Sequence, residues 1–365
     1  MKGLHIGDLF VKVPVIQGGM GVGISLYGLA SAVANQGGVG VISAVGIGMT
    51  EPDYLKNLQK ANLTALRKQI QKARSLTDGV LGVNIMLAVT DCDELIRVSI
   101  EEEIDIIFIG AGLPLKIPAQ IGLDKMKTMK TKIVPKLSSG KAVALVARYW
   151  DAKYNMVPPA FVIEGPKAGG HLGFSPEDLK AENIQLEDLI EEAVEAVKPY
   201  EEKYGIEIPI IAAGGIYDGH DMREIFKSGA KAVKMGTRFV TTYECDADIE
   251  FKNSYLACEK DDIEIVVSPV GMPGRVIRNK FVDEIKAGEQ KPYKCSWRCI
   301  KTCDYKKVQY CIARVLFNAA DGKMDQGFSF AGSNAYKADR IQSVKEVFDE
   351  LKYEFEAKEL EAATV

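Results

Sequence analysis

Ile208-Pro209-Ile210-Ile211-Ala212-Ala213-Gly214-Gly215-Ile216 opens the stretch that decides the fold. Asp218 follows as a helix cap, with Met222, Ile225 and Phe226 on one face and Gly229 as a stop. The chain then resumes as Ala232-Val233-Lys234-Met235-Gly236-Thr237. Two short apolar runs joined by one capped helix spell a strand, a helix and a strand. Strands that are apolar throughout are buried on both faces, as in a parallel sheet. Each run ends in glycine, where backbone N–H groups can approach an anion with no Cβ in the way.

The same unit repeats upstream. Strands are expected at Val13–Gln17, Val39–Ser43, Leu81–Leu87, Ile104–Ile109, Lys132–Leu137 and Ala160–Ile163, with helical patterns between them. These include Ser25–Gln36, Pro52–Ser75, Asp93–Glu103, a helix around Pro118–Met129, and Gly140–Trp150. Leu186, Leu189, Ile190, Ala193, Val194 and Val197 mark the longest apolar face. Eight β/α units in roughly 240 residues fit a TIM (β/α)8 barrel. A doubly wound open sheet is the runner-up. Its dinucleotide fingerprint fails at every glycine pair, because Ile24, Leu26 and Leu115 stand where the third glycine is needed.

Beyond residue 244 the rhythm breaks. Residues 245–330 hold six of the seven cysteines and helical stretches without clear strands. They are read as a mainly helical cap, inserted after strand eight. The barrel would then comprise 1–244 and 331–365, ending in an amphipathic helix with Ile341, Val344, Phe348, Leu351 and Phe355.

Composition excludes several classes. The 365 residues are 47% hydrophobic and 26% charged, so disorder over most of the chain is excluded. The net charge is -4 and there is no basic run, which argues against a nucleic-acid partner. Val13 to Thr50 carries no charge, but its ten glycines break it into strand, loop, helix and strand, so no membrane span is expected. Without a signal-like start, a cytoplasmic location with reduced thiols is expected. Cys295, Cys299, Cys303 and Cys311 have the spacing C-x3-C-x3-C-x7-C, which is neither a zinc-module pairing nor a familiar iron–sulfur run. No metal is expected from that spacing.

Active sites of such barrels lie at the C-terminal strand ends. There the chain places Gln17-Gly18-Gly19-Met20-Gly21, Asn84, Gly110, Lys136, Glu164, the Gly169-Gly170-His171 loop, Ala213-Gly214-Gly215 and Gly236-Thr237. Loops after strands seven and eight commonly bind phosphate in this fold, which points to Gly214, Gly215, Gly236 and Thr237. His171 is the candidate acid/base, since imidazole titrates near neutral pH. His5 lies before the first strand and His220 opens a helix, so neither is expected to act.

Taken in order, Ile16 to Gly21, Gly82-Val83-Asn84, Gly110 to Pro114, Glu164 to Gly173, Pro209 to Ile216 and Met235 to Phe239 resemble the nitronate monooxygenase family, formerly called 2-nitropropane dioxygenases. The resemblance covers residues 13–240 and does not extend to the cap. It implies an FMN-bound barrel. Gly19 and Met20 would contact the flavin ring, Asn84 and Lys136 its polar edge, and His171 the substrate side. Gln17, Gly18, Gly110, Glu164, Gly169, Gly170 and Ala213 complete the implied cofactor-binding set, with the phosphate on the strand seven and eight loops. The implied reaction is oxidation of an alkyl nitronate with O2 to a carbonyl compound and nitrite. Gln17-Gly18-Gly19-Met20 and Gly82 to Leu87 also resemble the FMN-dependent, NAD(P)H-driven enoyl-acyl-carrier-protein reductases, which would take an enoyl thioester. A flavin-binding redox sensor using the cysteine-rich cap is a third reading. A homodimer is carried as an open expectation.

Overall fold

The structure, a computed structural model, describes residues 1–116, 121–295 and 297–362. Strands β1 (Val15–Gln17), β2 (Val39–Ser43), β3 (Val80–Met86), β4 (Ile106–Gly110), β5 (Lys132–Leu137), β6 (Phe161–Glu164), β7 (Ile210–Ala213) and β8 (Ala232–Met235) form one closed barrel. Neighbours follow chain order and every pairing is parallel. The TIM barrel read from the sequence is therefore the fold.

The local reasons are visible. β2 and β4 are buried at every position, as both-face burial demands. Helix Gly219–Lys227 begins at the expected Asp218, which accepts from Asp221 N while Asp221 reciprocates. Leu58–Arg74 starts later than the expected Pro52, because Asn57 supplies the cap. Only Leu123–Thr128 of the helix expected around Pro118–Met129 is seen; its start lies outside the described residues.

The barrel interior and its base share one core. Ile16, Val41, Ile106, Phe108, Val134, Val162 and Ile211 meet Leu4, Ile6 and Val11 of an N-terminal hairpin. That hairpin, Leu4–Ile6 with Leu9–Val11, seals the N-terminal end and carries His5 away from the opposite rim. Val344–Ala362 packs against both Gly219–Lys227 and Tyr27–Asn35 and so fills the eighth place in the outer ring. Phe348 is fully buried, 6.0 Å from the Phe239 ring, and Phe355 meets Phe226 edge-on.

The excursion after β8 departs from expectation in one respect. Helices Ile249–Leu256, Lys280–Lys286 and Ile312–Ala320 are present, but so is an antiparallel hairpin, Ile263–Val267 with Pro273–Ile277. Its alternation is hidden because Ile265 and Val267 face solvent beside buried Val266. Gly170–His171 adds a third strand, so the expected Gly169-Gly170-His171 loop is tied to the excursion.

Phe348→Ala should destabilise the chain by roughly 3–5 kcal/mol. Chemical denaturation monitored by circular dichroism checks this. A loss below about 1 kcal/mol would mean that the last helix is not needed to complete the ring.

Candidate active site

The sequence-selected residues come together on the C-terminal rim. After β1, the chain at Gly18 and Gly19 runs against its neighbours without room for side chains. A Cβ on Gly18 would lie 2.9 Å from Gly236 Cα, and one on Gly19 would overlap Asn84 Cβ. Gln17 behaves differently from its expected role. Its amide is fully buried, donates to Ser25 Oγ (2.9 Å) and Gly18 O, and accepts from Val41 N (2.8 Å). Gln17 therefore crosslinks β1 to β2 and shapes the rim from within. Asn84, half-buried at the end of β3, makes no side-chain hydrogen bond with a described residue.

Lys136 passes over Gly110, where a Cβ would lie 2.8 Å from Lys136 Cε. Its Nζ donates to both oxygens of Glu164 at 2.7 Å. The pair joins the ends of β5 and β6 and is partly buried.

The opposite arc is built from backbone. Ala213 closes β7 and is buried. Gly214 and Gly215 have φ of +94° and +83°, a left-handed conformation that favours glycine. The amides of Gly214, Gly215 and Gly236 make no hydrogen bond with described residues. Thr237 Oγ1 accepts from Gly332 N at 2.9 Å, so its hydroxyl oxygen braces the returning chain. Beside it Ser333 Oγ is buried without a partner among described residues, while Ser333 N donates to Lys167 O (3.1 Å) and Asn334 Nδ2 to Gly215 O (2.7 Å). Unpaired amides and an orphaned hydroxyl suit an anionic oxygen ligand such as a phosphate.

His171 is held by the excursion. Its Nε2 and Ser268 Oγ are 2.7 Å apart, and Phe330 meets its ring edge-on at 5.0 Å. Gly274, opposite His171 in the sheet, leaves the space that Phe330 fills. Gly169 packs against Ala331 and Gly332, and Arg275 Nη1 donates to Pro166 O (2.7 Å) and Ala168 O. Burial, with Lys136 adding repulsion, pushes His171 down from 6.5 to about 4.

Sequence reading missed Lys234. It points into the barrel, is buried, and its Nζ lies 3.7 Å from the centroid of the Phe108 ring. No described residue accepts from that Nζ. Burial first, then repulsion from Lys136, brings its pKa down to about 7, with Glu164 opposing. A charged residue inside an apolar strand was the available signal. Ser268, Arg275 and Ser333 had none, because their roles arise from long-range contacts. Among the described residues no group of three or more His, Cys, Asp or Glu stands at the spacing of a single metal ion. No helix among them is long and apolar enough to cross a membrane.

A closed parallel barrel whose C-terminal rim gathers a half-buried imidazole, a lysine–glutamate pair and unpaired backbone amides is the class of protein that the structure defines. The family model described as nitronate monooxygenase matches residues 4–354, and the chain belongs to that family. A Mycobacterium tuberculosis protein named (3aS,4S,5R,7aS)-5-hydroxy-7a-methyl-1-oxo-octahydro-1H-indene-4-carboxyl-CoA dehydrogenase is 28% identical over 77% of this chain and 67% of its own length. Its Rhodococcus jostii namesake is 29% identical over 76% of this chain, and only 65% of that relative is spanned. A Staphylococcus saprophyticus protein named "probable nitronate monooxygenase" is 27% identical over 76% of this chain and 79% of its own. Among solved structures, FabK from Thermotoga maritima superposes with a TM-score of 0.74 at 28% identity, covering 97% of this chain and 96% of that one. Nitroalkane oxidase from Streptomyces ansochromogenes, at 20% identity and a TM-score of 0.71 over 97% and 98%, shares the fold. The chain is an oxidoreductase, and its family implies a flavin.

Lys234→Met should raise the stability of the flavin-free protein by roughly 1–3 kcal/mol at pH 6, where a buried unpaired cation is most costly. The same change should weaken flavin retention if Lys234 serves the ligand rather than the fold. Thermal melts and flavin content of the purified variant check both; a destabilised variant would refute the first.

Proposed function

We propose that this chain is an FMN-dependent nitronate monooxygenase, converting alkyl nitronates and O2 to a carbonyl compound and nitrite. The observation that carries the reading is a half-buried His171 kept neutral at ordinary pH. A neutral imidazole can accept a proton from a carbon acid such as a nitroalkane, or hydrogen-bond a nitronate. With Nε2 engaged by Ser268, Nδ1 is the nitrogen left to face substrate, since it has no hydrogen bond to a described residue. Ser268 then acts by fixing the ring.

The residues present fit FMN. The amides of Gly214, Gly215 and Gly236, with the Ser333 hydroxyl, would take the phosphate. The bare backbone at Gly19 and the Met20 side chain would border the ring, with Asn84 and Lys136 at its polar edge. Gly169 and Gly170 bring the His171 loop close to the same face. When bound, FMN supplies the electron acceptance and the reaction with O2 that these side chains cannot. Glu164 offsets the charge of Lys136, so that the polar edge carries one net cation, Lys234, when that group is protonated.

A second reading is favoured by one observation. The relatives at 28–29% identity are named as dehydrogenases of a CoA thioester. On that reading the chain is an NAD(P)H-dependent enoyl thioester reductase, and His171 would have to donate a proton. Its lowered pKa opposes that role at neutral pH, because a group with a pKa of about 4 is almost wholly unprotonated there.

Aerobic incubation with propionate 3-nitronate or 2-nitropropane should release nitrite, and His171→Ala should lower that rate by roughly 10²–10⁴-fold while FMN stays bound. Absence of nitrite, together with anaerobic bleaching by NADH or NADPH and reoxidation by crotonyl thioester, would replace the first reading with the second. Activity that needs neutral His171 should persist as pH falls past 6.5 and break near 4. Over that window the unfolded chain takes up a proton that the fold refuses. The His171 contribution to stability is therefore complete above 6.5 and is lost as pH falls toward 4. An acid limb of kcat/KM at 6.5 would contradict the assignment.

A further inference from the structure

Cys295, Cys299, Cys303 and Cys311 border one apolar cavity in the excursion, with Pro269, Val270, Tyr293 and Ile300 among the other walls. From this convergence we infer that the four thiolates ligate an iron–sulfur cluster of the four-cysteine type. The sequence spacing alone gave no such expectation. Three of the cysteines follow each other closely, but Cys311 stands at the start of helix Ile312–Ala320, beyond an intervening turn, and folding brings it to the same wall.

Several observations converge. Four of the seven cysteines meet here, while Cys92, Cys245 and Cys258 are buried elsewhere in the core. None of the four is in a disulfide. Their sulfurs are not at the spacing of ligands around one ion, which disfavours a single zinc. A polynuclear cluster sets its thiolates wider apart, around a volume of its own. Cys303 is exposed and leaves a path for cluster insertion.

The position gives the site meaning. Thr90 N donates to Cys299 O (3.1 Å) and Lys301 N to Ala88 O (2.9 Å), so the cysteine segment is pinned to the loop after β3, a few residues past Asn84. Pro269 and Val270, which line the same cavity, directly follow the Ser268 that meets His171. The cluster would sit beside the barrel mouth, sharing a wall with the catalytic loop. This inference stands apart from the nitronate reading, because its test reads iron and sulfide rather than turnover.

The full chain, purified anaerobically and reconstituted with ferrous iron and sulfide, should hold roughly four iron and four acid-labile sulfide per chain. Dithionite reduction should then produce a low-temperature paramagnetic resonance signal distinct from flavin. Cys299→Ser and Cys311→Ser should each lose at least half of that iron, and Cys258→Ala should keep it. Exposed Cys303→Ser supplies a variant whose folding is not in question, and it too should lose iron or alter the signal. Less than one iron per chain would overturn the proposal. So would one zinc per chain with no sulfide, or equal iron in Cys299→Ser, Cys303→Ser, Cys311→Ser and the parent.

Discussion

Closure of β8 against β1 is the constraint on which the rest of the molecule depends. Val233 N donates to Pro14 O at 3.0 Å and Gly18 N to Met235 O at 2.7 Å, completing the ring. The Gly18 and Gly236 backbones meet so closely that neither a turn nor a side chain can separate them. Buried Gln17 extends the same lock to β2. Once the ring is shut, all eight C-terminal strand ends share one rim. Residues separated by more than 200 positions, such as Met20 and Gly236, become neighbours. The outer ring needs its own completion, and the last helix supplies it from the far end of the chain.

Charge within the rim is arranged asymmetrically. Lys136 and Glu164 offset each other above the lumen. Lys234 lies in the lumen, against Phe108, with no acceptor for its Nζ among the described residues. Burying a lone ammonium is costly, so its presence suggests a ligand that repays the cost, in keeping with an anionic or electron-rich ring edge nearby. On the other side, the excursion holds His171 through Ser268, Phe330 and a strand pairing with Gly274. One part of the rim is thus made by barrel strands, and the part that carries His171 is positioned by a segment outside the barrel.

Strand positions were legible because both-face burial leaves a short apolar run, as at Ile210–Ala213 and Ile106–Gly110. Glycines were legible as rim markers, but they proved to act in two ways. Gly214 and Gly215 are required by left-handed φ, while Gly18 and Gly19 are required by close packing at ordinary φ. Gln17 was grouped with them by position alone, and its amide turned out to be consumed by the barrel. The hairpin at Ile263–Val267 was invisible, since exposed Ile265 and Val267 are as apolar as the buried Val266 between them and the period-two signal is lost.

By itself the sequence determined the barrel, the order of its strands and the rim on which polar residues gather, because burial periodicity and glycine placement are local properties. Tertiary structure alone decided that His171 is pushed toward its neutral form and braced by Ser268, that Lys234 Nζ has no acceptor among the described residues, and that Cys311 joins three earlier cysteines. Each of those facts depends on which distant groups surround an atom and exclude water from it. Spacing along a chain carries no record of that environment until the ring is closed.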